Sequence, residues 1–122
     1  MASSIITILS IVFFLILISQ GYSQCSLKDI SVTQYETGVV ENKPEWTVYI
    51  SNKCHCTQKN VKLNCTGFQT SLGITPSVLR VSDNECILND GEPIDKNLHI
   101  VFFYVWDKSF PLNPISSEII CS

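Results

Sequence analysis

Apolar and polar positions alternate through most of this chain. In Glu45-Trp46-Thr47-Val48-Tyr49-Ile50 the residues Trp46, Val48 and Ile50 share one face; Ile30 and Val32 do the same upstream, and Val61, Leu63 and Cys65 downstream. A period of two, carried by β-branched and aromatic residues, predicts half-buried strands. One segment departs from it. Ile100 to Val105 is an unbroken apolar run between Asp95-Lys96-Asn97 and Asp107, which predicts a central strand covered on both faces. Turn-forming clusters at Thr37-Gly38, Asn42-Lys43-Pro44, Asn89-Asp90-Gly91 and Asn113-Pro114 fall between the strands. Asp90-Gly91 suits a type I′ hairpin turn, whose two central residues need φ > 0. Pro76 is placed to open a single helical turn over Ser77-Val78-Leu79-Arg80. Amphipathic helical runs and internal repeats are absent. The pattern predicts an all-β fold, one small β-sandwich of Greek-key or jelly-roll type.

The N-terminal residues follow a different pattern. Ile5 to Ile18 is almost continuously apolar, but as a helix it spans only roughly 21 Å, short of a hydrocarbon core of about 30 Å. Gly21-Tyr22-Ser23 then offers the small-x-small arrangement that signal peptidase accepts. Residues 1–23 are therefore read as a cleaved signal peptide and 24–122 as one exported domain, secreted and extracellular, with no stable membrane insertion after cleavage. All charged residues lie in that domain, whose net charge is −3. A mildly acidic chain without a Lys/Arg cluster argues against nucleic acid and anionic lipid as partners.

Six cysteines, Cys25, Cys54, Cys56, Cys65, Cys86 and Cys121, all follow the apolar leader. In a small exported chain an even count reads as a disulfide framework, three bridges being expected. The tight Cys54-His55-Cys56 group invites two other chemistries. Structural zinc sites usually space their cysteines by two to four residues, and a redox pair is normally Cys-x-x-Cys opening a helix. Neither fits, so each of the two cysteines is expected to bridge elsewhere. In an extended segment they point to one face and can staple one edge to two partners. Cys25 and Cys121 sit at the ends of the exported part, where bridges would each contribute about 2–4 kcal/mol. Spacing does not select among the 15 connectivities. Asn64-Cys65-Thr66 is an N-glycosylation sequon; use of Asn64 requires it to face solvent, which sends Leu63 and Cys65 inward.

Catalysis is not expected. Asp90, Glu92 and Asp95 are the densest carboxylates, but they fall in a Gly/Pro-containing turn, general acid/base work needs a partner, and His99 lies next to the apolar run rather than in a motif. The nucleophile elbow, the zinc-protease helix and the phosphate-binding glycine loop are missing, and no cofactor or metal is implied.

The residues between the cysteines carry a resemblance. Asp29-Ile30-Ser31-Val32-Thr33-Gln34, Pro44-Glu45-Trp46-Thr47-Val48, Asn52-Lys53-Cys54-His55-Cys56 and Val61-Lys62-Leu63-Asn64-Cys65-Thr66-Gly67-Phe68-Gln69 are joined by Cys86-Ile87-Leu88-Asn89-Asp90-Gly91-Glu92-Pro93-Ile94, Phe103-Tyr104-Val105-Trp106-Asp107 and Phe110-Pro111-Leu112-Asn113-Pro114. Together they resemble the plant Tapetum Determinant family of small secreted cysteine-rich proteins, in a short form. The resemblance implies a signalling ligand: the founding member acts in anther development, where it binds the ectodomain of a leucine-rich repeat receptor kinase. Candidate receptor contacts are then Asn89, Asp90 and Glu92 in one turn, and Trp106, Asp107 and Phe110 in a segment where two aromatic residues bracket charges. Trp46 is read instead as core. The alternative is a cell-wall carbohydrate-binding module, whose mark would be a planar row of exposed aromatic rings.

Overall fold

The computed structural model of the protein describes residues 24–121; the signal-peptide reading of residues 1–23 lies outside the described residues. Seven strands form two antiparallel sheets: β1 (Ile30–Val40), β2 (Lys43–Asn52), β3 (Thr57–Asn64), β4 (Leu79–Ser82), β5 (Glu85–Leu88), β6 (His99–Val105) and β7 (Asn113–Ile120). Sheet A has the order β1-β2-β6, and sheet B the order β4-β5-β3-β7. The chain crosses between sheets after β2, after β5 and again after β6. Alternation does the folding. Ile30, Val48, Ile50, Ile100, Phe102 and Tyr104 from sheet A meet Val61, Leu63, Leu79, Cys86 and Leu88 from sheet B in one buried cluster, completed by Ile94, Phe110 and Leu112 from connecting segments. This is an all-β sandwich with a single core, as the alternation predicts.

Six local expectations need correction. The apolar run of β6 is not a central strand: it forms an edge of sheet A and as far as Tyr104 buries only every second residue, leaving Val101 and Phe103 outside, with Val105 buried at its end. The sheet has one face on the core and one turned away, so an apolar residue on the second face stays exposed. Thr37-Gly38 does not end a strand but forms a β-bulge, with the register against β2 slipping between Glu36 and Gly38. The β1–β2 turn is made by Glu41 and Asn42, both at positive φ (50° and 68°), while Lys43 and Pro44 already belong to β2. Asp90-Gly91 has the expected positive φ, yet the strands on either side of it, β5 and β6, belong to different sheets, so it is not a hairpin turn. Asn113-Pro114 opens β7, an edge strand, where a missing backbone donor is tolerated. The single turn after Pro76 is present, with the Val78 N–H donating to Thr75 C=O, but Leu79 and Arg80 have passed into β4.

All six cysteines are paired: Cys25–Cys54, Cys56–Cys121 and Cys65–Cys86. Cys54 and Cys56 are buried with His55 exposed between them, and they take the two ends of the described chain as their partners. Beneath them lies a buried polar cluster. The Asn52 amide donates to Cys56 C=O (2.8 Å) and Ile94 C=O (2.9 Å), and its oxygen accepts from Cys54 N–H (3.0 Å). Gln58 donates to Ser26 C=O (3.0 Å) and accepts from the Ser117 hydroxyl (2.6 Å). These bonds fix the Cys54–Cys56 segment against both chain ends and satisfy groups that would be expensive to bury alone.

Candidate interaction surface

The proposed contact residues do not form one surface. Asn89 and Asp90 belong to a 3₁₀ turn, Asn89–Gly91, attached to sheet B, and Glu92 caps its C-terminal end. Asn89 is half-buried, whereas Asp90 and Glu92 are exposed, Asp90 in an ion pair with Arg80 at 3.2 Å. Asp95, the third carboxylate of that stretch, caps the Asn97 and Leu98 amides (2.9 and 3.0 Å). Trp106 follows β6 and packs half-buried on the core, its ring 4.2 Å beneath the Lys43 ammonium and its C=O accepting from the Trp46 indole. Asp107 is exposed. Phe110 requires a correction: only 6% exposed, it packs against both Phe68 and Tyr104 (ring centroids 5.5 and 6.0 Å) in a cluster of three rings and presents no anchor to a partner. Its backbone explains the inward turn. Phe110 N–H donates to the Tyr104 hydroxyl (2.9 Å), which donates to the Gln34 amide oxygen, and the Gln34 amide returns a bond to Phe110 C=O (2.7 Å). Burial pushes the Tyr104 phenol above its ordinary pKa, the bond from Phe110 N–H acting in the opposite direction. Trp46 packs against the core and stacks on Tyr104, in keeping with its sequence reading.

The exposed surface that sequence reasoning missed is the outer face of sheet A. Tyr49 pairs with Val101 and Thr47 with Phe103 across β2 and β6, while Tyr35 pairs with Thr47 across β1 and β2. Tyr35 (59% exposed), Tyr49, Val101 and Phe103 (52%) thus face outward side by side. Sheet B differs in character. The ion pairs Lys59–Glu118, Lys62–Glu85 and Arg80–Asp90 all join its strands and its 3₁₀ turn. Its outer side also carries Asn64, exposed, whose amide oxygen accepts from the Thr66 N–H (3.0 Å) and hydroxyl (2.6 Å), with Leu63 and Cys65 buried beneath. Sheet B also exposes Val81, Ile115, Ile119 and Ile120, so what sets sheet A apart is its exposed aromatic rings and what sets sheet B apart is its ion pairs. The Tyr35 and Tyr49 rings meet edge to face, 5.9 Å apart at 64°, and do not make the coplanar platform on which a sugar ring stacks.

The Cys25, Cys54, His55 and Cys56 ligand atoms gather within 4.8 Å of one another. The three sulfurs are disulfide sulfurs, however, and it is the thiolate that binds a metal, so this donor set does not fit zinc.

A small three-bridge β-sandwich with paired chain ends and no free thiol defines a disulfide-stapled extracellular module. The family model described as "Tapetum determinant 1, C-terminal" matches residues 26–122, and the chain belongs to that family. Among curated plant proteins it is 31% identical over 96 residues to TPD1 protein homolog 1 of Arabidopsis thaliana, covering 75% of this chain and 54% of that protein. It is 36% identical over 81 residues to an uncharacterized Arabidopsis thaliana protein, covering 63% of each. The chain thus spans between about half and two thirds of the length of these relatives. No solved structure matches it.

Proposed function

We propose that the protein is a secreted signalling ligand that binds the ectodomain of a leucine-rich repeat receptor kinase in plant cell-fate or reproductive development. In this reading it acts by presenting a surface, without catalysis or cofactor. Family membership supports it, and the carrying observation is the aromatic cluster on the outer face of sheet A, where Tyr35, Tyr49, Val101 and Phe103 are exposed together, while the three ion pairs and the Asn64 sequon lie on sheet B. A contiguous apolar face rimmed by polar groups is the form that protein-interaction surfaces take. A glycan on Asn64 would project from sheet B and leave sheet A free. Trp106 and Asp107 remain candidate contacts beside the sheet A face, and Asp90 and Glu92 remain candidates on the sheet B side; Phe110 does not.

The test is capture of the secreted, oxidised protein by a panel of plant receptor ectodomains. We expect capture by at least one, lost in a Tyr49→Lys/Phe103→Lys variant and kept in Asp83→Lys on the β4–β5 turn. Retention on insoluble polysaccharide with no ectodomain captured would overturn the reading.

A further inference from the structure

A sheet edge left unpaired in water is a template for another strand, and proteins usually blunt it with charges, proline, bulges or brevity. Three of the four edges here are blunted. β1 carries the bulge at Glu36/Gly38, β4 is four residues long, and β7 contains Pro114 and breaks register against β3. β6, His-Ile-Val-Phe-Phe-Tyr-Val, has no charge, proline or bulge.

The direction of its free groups follows from the register. Trp106 N–H donates to Pro44 C=O, the first rung of the ladder with β2, and in an antiparallel pair the bonded rungs alternate. Tyr104, Phe102 and Ile100 therefore bond to β2, while the N–H and C=O of Val105, Phe103 and Val101 point to the open side. Val105 confirms this: its N–H donates to the Thr70 hydroxyl (3.1 Å) and its C=O accepts from Ser71 N–H (2.9 Å). Residues 70–71 thus imitate a neighbouring strand for one rung, after which the chain turns away. Phe103 and Val101 have no such partner among the described residues. Beside them is a cleft of about 360 Å³, floored by Val101, Phe102 and Phe103 and walled by Leu72, Ile74 and Val78. Its one charged lining residue is Glu45, whose carboxylate accepts from the Thr37 hydroxyl (3.0 Å).

We propose that this cleft binds an extended polypeptide segment of a partner as an added antiparallel or parallel strand on β6. The open groups of Val101 and Phe103 lie about 6.7 Å apart along the strand, the repeat of every second residue of an incoming chain. The apolar walls select a β-branched or aromatic residue at alternate positions, and Glu45 selects a lysine or arginine beside them. Main-chain pairing supplies the affinity and the pockets supply the choice of sequence. The inference stands apart from the receptor reading, since any partner with such a segment would satisfy it.

Two measurements test it on the oxidised protein. In the free protein, hydrogen exchange should find the Val101 and Phe103 amides fast and the Ile100, Phe102 and Tyr104 amides protected. Protection of the first two, including by pairing with a second copy at higher concentration, overturns the proposal. A displayed library of random seven-residue peptides is then selected on the protein. Selected peptides should alternate β-branched or aromatic residues with polar ones and carry a basic residue. Their synthetic copies should bind at least about tenfold more weakly when N-methylated at alternate residues, and likewise to Phe103→Pro protein whose three bridges and circular dichroism are intact. Glu45→Gln should relax the preference for the basic residue. No enrichment, or equal binding by methylated peptides, overturns the proposal.

Discussion

Removal of the Cys56–Cys121 bridge should be the most damaging change to stability that leaves the core residues in place. Its cysteines are 65 residues apart, against 29 and 21 for the other two bridges. Closing a loop of that length restricts the unfolded chain by about 4.3 kcal/mol at 25 °C. The Cys65–Cys86 bridge lies inside the loop and shortens its free path by 21 residues, to roughly 44, which lowers the figure by only about 0.3 kcal/mol. A domain of this size has about 5–15 kcal/mol in all, so a Cys56→Ala/Cys121→Ser variant should lose about a quarter or more of its stability. Cys121 is exposed and Cys56 is only 3% exposed, so packing loss is confined to one small side chain. Guanidinium unfolding without reductant gives the difference, and hydrogen exchange should locate new opening in β7, whose end the bridge holds. A loss below about 1 kcal/mol with β7 still protected would refute the loop-entropy argument.

Asn52→Ala leaves the Cys56 and Ile94 carbonyls and the Cys54 N–H without their partner; about 3 kcal/mol should be lost, with more scrambled bridges on oxidative refolding, read by peptide mapping without reduction. Gly91→Ala places a side chain at φ +78°, with its Cβ 2.8 Å from Asn60 Oδ1, and should cost about 1–2 kcal/mol in the same unfolding assay. Because burial raises the Tyr104 pKa, the unfolded chain releases that proton near pH 10 while the native state still holds it. Stability should be level through neutral pH and fall above about pH 10, less steeply in Tyr104→Phe; an equal slope in the variant would refute this.

The strand pattern and the inward faces were legible because alternation is local: Val48, Ile50, Val61 and Leu63 are buried where the period of two puts them. What failed was position within a sheet. An apolar run reads the same whether a second layer covers it or its outer residues stand free, and only the partners chosen by β2 decide between them for β6. For the same reason the outer aromatic face stayed hidden, since Tyr35, Tyr49 and Phe103 converge only once three distant strands are in register. Phe110 misled because aromatic residues beside charges suit both an interface and the rim of a core; the Gln34–Tyr104 bonds that turn it inward join residues 70 positions apart. The polar cluster of Asn52 and Gln58 gave no signal, as neither stands in a motif. The paired fates of Cys54 and Cys56 were visible in their shared parity, although not which end each would take.

Those two bridges also set how the domain bears load. Tension applied at Cys25 and Cys121 runs through Cys54, His55 and Cys56 and out again, a covalent path with Cα steps of 5.7 and 4.7 Å across the bridges. The same chain without its bridges would pay out about 330 Å when stretched from end to end. The sandwich hangs from this path as a closed loop, mechanically in parallel with three residues. A pull on both ends is carried by the staple while the sheets stay slack.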